Sequence, residues 1–487
     1  MPNSTGMERL FTGPFSGHLL NIAGRLLYSD MLRPVLLRLT RNRIQAILND
    51  ENAPLNQRKI ILQRKLMSLA IARAVERAVT QRTMSRQVAY KVTRLWARAL
   101  FAPTDQRPAV KRFKEQYHRD PPWFITVSPG QACNLKCEGC YADSGSSDAK
   151  LEWSVLERII SEAKALWDIR LVVFSGGEPL AYRSEGKDVL DVVERHPDLL
   201  FLMFTNGTLL DERTAERLGS LGNLTPAFSV EGMRFRTDKR RGDGVFDAVV
   251  DAMAWVRRAG VPLGISVTVN RTNLEEILSD DFLDFFFDEQ DAFYGFCFQY
   301  LPIGRRPSFE DMPTPAERVA FWRKAWKIVK ERQIFLVDFW NHGPLVKGCI
   351  SAGRGGGYLY IDWSGKVMPC VFVPYSVGNV HDVYQRGGTL NDLWETPFLE
   401  AIRKWQDTYG YAQQEPTKDA DWLCACPFRD HHSLFRKWVD LYQPEPEDEA
   451  AADALADAEY SQRLCEYEVE LSKLFGEIWD REYLYNR

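Results

Sequence analysis

The sequence predicts an α/β protein built on a parallel sheet, with an all-helical extension before it and a small loop-rich, cysteine-bearing region after it. Two observations carry this. Between residues 124 and 301, short apolar runs rich in Val, Ile and Phe alternate with longer amphipathic stretches, giving six strand-then-helix units. Such alternation implies parallel pairing with right-handed crossovers. Residues 16–118 follow helical period instead. The chain has 487 residues, 45% hydrophobic and 26% charged. That is the composition of an ordinary soluble globular protein with room for two or three domains.

The first 120 residues are taken first. Leu19, Ile22, Ala23, Leu26 and Leu27 lie at i, i+3, i+4, i+7 and i+8, one face of a helix. Pro34 suits the first turn of a second helix, with Val35, Leu36 and Leu39 behind it. Residues 56–101 continue the period with arginines between the apolar positions, and "DPPWF" at 120–124 ends it. Residues 1–120 hold 22 Lys+Arg and 8 Asp+Glu, or +14, so the remainder of a chain of net charge −4 carries −18. This asymmetry reads either as a surface for an anionic partner or as a helical appendage packed on an acidic body. The start, "MPNSTGMERLFTGPF", lacks the pattern of a secretory signal, and no run of roughly 18 apolar residues occurs. The expected location is the cytoplasm. There, nine unevenly spaced cysteines suggest metal or catalytic use over disulfides.

The strand candidates are Phe124–Ser128, Leu171–Ser175, Leu199–Thr205, Pro226–Val230, Leu263–Val269 and Phe296–Leu301. Helical patterns lie near 153–167, 186–196, 211–220, 245–259 and 274–288. An open doubly wound sheet and a partial barrel both satisfy this order, and both gather functional residues at the carboxyl ends of strands. The unusual residues fall there. A cysteine cluster, "CNLKCEGC", follows the first strand; "SGGEP" (175–179), "TNG" (205–207) and "SVEG" (229–232) end the next three. Residues 305–340 read as helical, 349–430 as loop-rich, and the tail from about 431 as helical and acidic. The segment "PEPEDEAAADALADAE" (444–459) is expected to be flexible at its start.

Cys133, Cys137 and Cys140 are soft ligands suited to iron–sulfur clusters or zinc. Three of them on a four-iron cluster leave one iron open to a small molecule, whereas a structural zinc site needs a fourth ligand, and no other Cys or His lies nearby in sequence. C-x3-C-x2-C followed directly by Tyr141, after the first strand of a strand–helix series and with "GGEP" one strand later, resembles the radical S-adenosylmethionine (radical SAM) superfamily over residues 124–304. The resemblance implies a partial (β/α)6 barrel resembling part of a TIM barrel. It implies a [4Fe-4S] cluster on Cys133, Cys137 and Cys140, whose open iron chelates S-adenosylmethionine. It also implies reductive cleavage to a 5′-deoxyadenosyl radical that takes hydrogen from an unactivated carbon. On that reading Gly176 and Gly177 allow close approach to the methionine amino group, and Glu178 accepts from its ammonium. Tyr141 packs near the adenine, Ser229 reaches the ribose, Arg241 pairs with the methionine carboxylate, and Asn206 is a further contact. A capping role for Glu178, core packing for Tyr141 and a turn role for Asn206 stay open. Relatives often read S-x-D-G after strand four; here Glu231 replaces the Asp, which puts its role in doubt.

Cys349, fifteen residues, Gly365, four residues and Cys370 resemble the opening of the family's SPASM or twitch auxiliary-cluster domain. "YLYIDWSGKVMPC" reads as a hairpin turning at Ser364–Gly365. The full SPASM type has seven cysteines, but only Cys424 and Cys426 follow nearby. The resemblance then implies one auxiliary [4Fe-4S] cluster on Cys349, Cys370, Cys424 and Cys426, fully ligated and acting in electron transfer. A four-thiolate zinc or iron site and a three-cysteine cluster remain alternatives. His431 and His432 read as a surface pair, with a ligand to the auxiliary site as the alternative, Cys297 as a buried structural thiol and Cys465 as packing or a free thiol.

The organisation expected is a basic helical region (1–119), a radical SAM core (120–304), a helical linker (305–348), an auxiliary-cluster domain (349–432) and an acidic helical tail (433–487). The function implied is that of a radical SAM enzyme acting on a peptide or protein substrate and supplied by a low-potential donor such as flavodoxin or ferredoxin. A lipid or membrane-linked substrate recruited by the basic helices to an anionic surface is the second reading. Nucleic acid is disfavoured, because no aromatic-interleaved module accompanies the charge. An iron–sulfur carrier or a zinc-binding interaction protein are the readings of another class.

Overall fold

The computed structural model describes residues 54–101 and 107–484, together with residues 28, 29, 33–35, 38 and 42. Residues 33–35 are helical, as Pro34 predicts, while the helix expected over Leu19–Leu27 lies outside the described residues. Three helices, α1 (Leu55–Thr80), α2 (Arg86–Phe101) and α3 (Pro108–Tyr117), precede the sheet.

The six expected strands form: β1 (Phe124–Val127), β2 (Leu171–Phe174), β3 (Leu200–Thr205), β4 (Leu224–Val230), β5 (Gly264–Val269) and β6 (Tyr294–Gln299). They lie side by side in chain order, all parallel. Helices between them carry their own start signals. In α5 (Val189–Arg195), Asp188 and Asp191 form a reciprocal capping box, and α6 (Glu212–Leu221) is capped by Asp211. The other crossovers are α4 (Trp153–Trp167), α7 (Arg234–Arg241) and α8 (Val245–Arg258). The pattern at 274–288 becomes a broken series of short 3-10, α and π turns rather than one helix.

Two further strands extend the sheet. Within the expected helical linker, α9 (Pro315–Glu331) is followed by β7 (Leu336–Asp338), parallel to β6. Three residues are too few to set a period in the sequence. At the other edge β8 (Tyr358–Ile361) runs parallel to β1, and β9 (Val367–Met368) returns antiparallel beside it. Gly365 makes the predicted turn with φ +85°. The sheet therefore has nine strands in the order β7-β6-β5-β4-β3-β2-β1-β8-β9 and does not close by hydrogen bonding. The gap is filled by rings: Trp340, after β7, meets Phe372, after β9, at 4.8 Å, and Phe339 meets it at 6.1 Å.

The tail corrects one expectation. Its start is paired: β11 (Glu445–Pro446) lies antiparallel to β10 (Tyr375–Ser376). The last long helix, α10 (Ala458–Ile478), buries Leu464, Leu471 and Phe475. Among the described residues no helix is long and apolar enough to cross a membrane.

Barrel and auxiliary region are joined by a buried ionic network. Arg318 on α9 donates to both oxygens of Asp430, at 2.6 and 3.1 Å, and to the Leu423 carbonyl at 3.0 Å. Arg429 donates to Asp430 at 2.8 Å. Arg318 and Asp430 are 0% exposed. Burial pushes the Asp430 carboxyl up, but Arg318 and Arg429 outweigh it and hold the group far below the usual carboxylate range. Asp430→Asn strands two buried cations, so it should cost about 3–5 kcal/mol. Denaturant unfolding of the metal-free chain would measure this. The group's folded pKa is depressed, so its contribution is complete above an unfolded value of about 4 and is lost only as pH falls toward the folded one. The gap between wild type and variant should therefore hold from pH 8 to pH 5; equal midpoints would refute the network's role.

Candidate active site

The loop carrying Cys133, Cys137 and Cys140 has little regular structure of its own and is held by the strand ends. The Gly177 N–H bonds the Gly130 carbonyl at 3.1 Å, and the Glu178 N–H bonds the Ala132 carbonyl at 2.9 Å. A Cβ on Gly177 would lie 2.2 Å from the Ala132 oxygen, and one on Gly176 (φ +97°) would lie 2.5 Å from Ser128 Cβ. The close approach these glycines permit is thus to the stem of the cysteine loop.

Glu178 is buried and serves as a cap. Its Oε1 accepts from Leu180 N–H at 3.1 Å and Thr205 Oγ1 at 2.7 Å, and Oε2 accepts from Asn206 N–H at 2.7 Å. Burial raises its pKa against these bonds. Asn206 makes both a turn and a site contact. Its Oδ1 accepts from Thr208 N–H at 2.9 Å, while its Nδ2 donates to Asn134 Oδ1 at 2.9 Å and approaches Cys133 Sγ at 3.7 Å. Tyr141 bonds Ser175 Oγ at 2.6 Å, accepts from Gly176 N–H at 3.0 Å and packs 5.9 Å from the Phe372 ring. Burial pushes its hydroxyl up to about 12.

Glu231 receives the second clamp. Its Oε1 accepts from Arg240 Nη1 at 2.5 Å and from Arg241 Nε and Nη2 at 3.0 and 2.5 Å. Arg240 also donates to the Glu138 and Gly139 carbonyls at 3.0 and 3.1 Å, and its own carbonyl accepts from Glu138 N–H. Arg241 Nη1 stands 4.0 Å from Cys137 Sγ. Glu231 Oε2 is buried with no partner among the described residues. Arg305, after β6, closes the loop from the far side, donating to the Cys137 carbonyl at 3.0 Å, to Ser144 O and to Asp143 Oδ1. Sequence reasoning missed Arg240 and Arg305 as clamps, and left Glu231 unassigned. The i, i+2 pair Ser266 and Thr268 on β5 was legible as small polar residues on one strand face but was not singled out.

Tyr141, Gly176, Gly177, Glu178, Asn206, Arg240 and Arg241 line one cavity of about 460 Å³. It is reached by all three loop cysteines, by Ser229, Ser266 and Thr268, and by Phe124 and Leu171 at the strand starts. Phe204, Phe296, Phe298, Phe339, Trp340 and Phe372 wall its middle. The same cavity is lined by Cys349, Cys370 and Cys426. Burial pushes Cys370 up, with Cys349 and Cys426 adding to it, and raises Cys426 to about 11. Cys424 does not line the cavity. It is 1% exposed, and its carbonyl accepts from Tyr409 and His431. His431 and His432 are not a surface pair: His432 is buried and bonds the Phe428 carbonyl, and His431 packs between Trp405 and Tyr409. Cys297 is buried as expected, and Cys465 is half-buried on α10.

The donor set suits iron–sulfur clusters. Among the described residues, no three His, Cys, Asp or Glu side chains converge on a single ion. Cys133, Cys137 and Cys140, and Cys349, Cys370 and Cys426, present thiols on the cavity wall, a donor type that iron–sulfur clusters take. The hydroxyls of Ser229, Ser266 and Thr268 and the guanidinium of Arg241 line the cavity beside the first set and suit a small polar ligand there.

Comparison with known proteins agrees. Residues 127–283 match the model of the radical SAM superfamily, and 349–426 match that of SPASM, an iron–sulfur cluster-binding domain. The AdoMet-dependent heme synthase of Methanosarcina barkeri is 28% identical over 316 residues, 58% of this chain and 84% of that protein. The mycofactocin maturase MftC of Mycobacterium ulcerans is 29% identical over 315 residues, 61% of this chain and 81% of that protein. SuiB of Streptococcus suis bound to its precursor peptide SuiA aligns with a TM-score of 0.50 at 17% identity, over 62% of this chain and 71% of that one. The enzyme anSMEcpe with bound AdoMet and a peptide aligns with a TM-score of 0.50 at 16% identity, over 74% and 99%. At these identities the structural likeness concerns the fold.

The packing of Gly177 gives a direct test. Gly177→Ala should keep the far-UV circular dichroism but lose more than half of the iron held by the loop cysteines after anaerobic reconstitution. Full iron content would mean that the stem does not need this contact.

Proposed function

The chain belongs to the radical SAM superfamily and carries a SPASM iron–sulfur domain, and we propose that it abstracts hydrogen from an apolar side chain of a peptide substrate. The observation that carries this reading is the single cavity lined by both cysteine sets and walled by aromatic rings. The charged side chains on that wall are Glu178, Arg240 and Arg241, all engaged with the protein. A neutral, apolar reacting group therefore fits it best. The peptide class is supported by the maturase among the relatives.

Cys133, Cys137 and Cys140 hold the first cluster. What the bound cluster and S-adenosylmethionine supply is one-electron cleavage of the sulfonium and a carbon radical that takes a hydrogen atom. The chain's residues prepare this. Gly176, Gly177, Glu178, Tyr141 and Asn206 act by seating the cysteine loop on β2 and β3. Ser229 offers its hydroxyl to the cofactor's sugar. Arg241, beside Cys137 on the cavity wall, would pair with the cofactor's carboxylate. The aromatic walls exclude water, which protects a radical from quenching. The auxiliary cysteines would hold a second cluster, which would supply an electron acceptor near the same cavity.

A second reading is a tetrapyrrole substrate, favoured by the similarity to a heme synthase and by the ring-lined walls. Against it stands the lack of a spare cation on the wall for acidic side chains. The two are separable by adding iron coproporphyrin III to the reconstituted protein: a shifted Soret band would support the tetrapyrrole.

Anaerobic reconstitution should load about eight irons per chain and little zinc, as two four-iron clusters require. Dithionite and S-adenosylmethionine should then release 5′-deoxyadenosine, and Cys137→Ala should abolish that release. A fully loaded protein that never forms 5′-deoxyadenosine, with or without peptides, would point to a carrier.

A further inference from the structure

Away from the cysteine loop, the cavity is lined by Met67 of α1 and by Leu345 and Val346, in the segment between β7 and Cys349. Val346 is 45% exposed, so the cavity meets the surface there. Three cations surround this opening. Arg64, one turn before Met67 on α1, donates to the Leu345 carbonyl at 3.3 Å. Arg354 donates to the Val346 carbonyl at 2.7 Å, to the Gly355 carbonyl at 3.2 Å and to the Cys349 carbonyl. Lys347, the next residue after Val346, donates to the side-chain oxygen of Gln414. All of these acceptors are neutral oxygens. Among the described residues none of the three cations makes an ion pair, and the carboxylate that acts on Arg354, Asp407, is held by Arg119 at 2.6 Å. Burial lowers the pKa of Lys347, and repulsion from Arg64 and Arg354 adds to it. Half-buried positive charge without a countercharge makes a local potential that attracts an anion. His342 belongs to the same segment, its carbonyl accepting from Leu345 N–H at 2.9 Å. It lines the cavity, and both its ring nitrogens are buried without a partner among the described residues. Burial pushes its pKa down to about 3, so the imidazole is neutral, with one N–H to give and one nitrogen to accept. A peptide amide supplies both partners.

We propose that this opening holds the peptide substrate by an acidic side chain: Arg64 and Lys347 pair with its carboxylate, Arg354 adds to the field, and His342 bonds a backbone amide. This rests on the peptide reading above and adds to it a preference for an acidic residue apart from the apolar one that reacts. Arg354 is 4% exposed and spent on three carbonyls, so it acts at a distance, whereas Arg64 and Lys347 are half-buried and can turn to a ligand. Their present acceptors give way readily, because a carbonyl or amide oxygen is a weaker partner for a cation than a carboxylate. None of the three lines the wall among the aromatic rings, so the apolar character of that wall is unchanged. The basic helix α1 thereby gains a use beyond packing, since it carries Arg64 to the opening.

The test uses the full chain, reconstituted anaerobically, and two rhodamine-labelled probe peptides, Leu-Glu-Leu-Glu-Leu and Leu-Gln-Leu-Gln-Leu. Binding is read by fluorescence anisotropy. Wild type should bind the acidic probe about tenfold tighter at about 50 mM salt and lose most of that preference at about 500 mM. Arg64→Gln combined with Lys347→Gln should bring the two probes within about twofold of each other. Lys111→Gln combined with Arg112→Gln, which removes two exposed cations elsewhere, should leave the preference as in wild type. His342→Phe should weaken both probes alike and keep the preference. Where the first double variant fails to fold by circular dichroism, Lys347→Gln alone decides the case, with the preference expected to fall about threefold. Equal binding of the two probes by wild type would overturn the proposal, as would an undiminished preference in the Arg64 and Lys347 variant or an equal loss in the Lys111 and Arg112 control. Affinities unchanged by His342→Phe would overturn the part given to that residue. Iron coproporphyrin III serves as a third probe. A Soret shift lost in the Arg64 and Lys347 variant, with neither peptide bound by wild type, would assign the cations to the carboxylates of a tetrapyrrole and overturn the peptide. Formation of 5′-deoxyadenosine by wild type is read separately, so the radical function and the acid-binding opening can fail apart.

Discussion

One buried carboxylate, Glu231, holds the two arginines on which the cysteine loop rests. A carboxylate that is 1% exposed must be paired, since an isolated buried charge costs several kcal/mol. Glu231 is paired twice over by Arg240 and Arg241, and the cluster of charges it creates is net positive. Burial lowers the Arg241 pKa, but Glu231 and then Cys137 outweigh this and raise it, so the guanidinium stays charged beside the thiols. Three thiolates gathered on one loop would repel one another without such a countercharge. Glu231 also explains why β4 must end where it does: a shift of one residue would turn its side chain to the opposite face and release both arginines.

The second constraint is the pairing of β8 with β1. It makes the auxiliary region an extension of the barrel sheet, with Phe124 level with Tyr358 and the Tyr360 hydroxyl 2.8 Å from Ser128 Oγ. Tyr358 in turn reaches Cys370, so the second cysteine set is registered to the first through a shared strand pair. Because β7 and β9 never pair, the open seam is closed by aromatic side chains, and those same rings form the cavity wall. One set of residues thus seals the barrel and shapes its interior.

Much of this was legible in the sequence, for definite reasons. The six core strands are apolar runs bounded by turn residues, and all six appear within two residues of their expected ends. The cysteine spacing and "GGEP" are local patterns, so they located the first site. What escaped depends on distance in sequence. Arg305 lies 168 positions from the Cys137 carbonyl it binds, and nothing local marks it as a clamp. The packing of Gly176 and Gly177 on the loop stem, beside any room they leave for a ligand, depends on Ser128 and Ala132, which only the fold brings against them. For Glu178 the sequence leaves a ligand contact and a capping role open, and its bonds to Thr205 and Asn206 depend on strand pairing that no single segment reveals. β7 was hidden by its length, and the burial of His432 by the tail helix that folds over it.

The charge asymmetry along the chain finds part of its explanation inside the molecule. The basic helix α1 packs against the end of the acidic tail: Lys59 Nζ lies 3.2 Å from Glu482 Oε2, and Gln63 Nε2 donates to the Tyr483 hydroxyl at 2.8 Å. Arg64 caps the Leu345 carbonyl, and Arg77 donates to the Ala292 carbonyl. The described part of the basic region therefore acts as an appendage fixed to an acidic body. The tail completes a loop of support that returns to the site. Tyr460 donates to the Pro302 carbonyl at 3.1 Å, three residues before Arg305 and its grip on the cysteine loop. Ion pairs that stay in contact with solvent, such as the half-buried Lys59–Glu482, add little energy each. The tail is held to the auxiliary region by buried rings, with Trp479 stacked 4.6 Å from Tyr483 and Trp422 of the auxiliary region 5.9 Å from Trp479. Charge sets which surfaces meet, apolar burial holds them, and the loop that carries the first three cysteines is positioned by what the far end of the chain packs against.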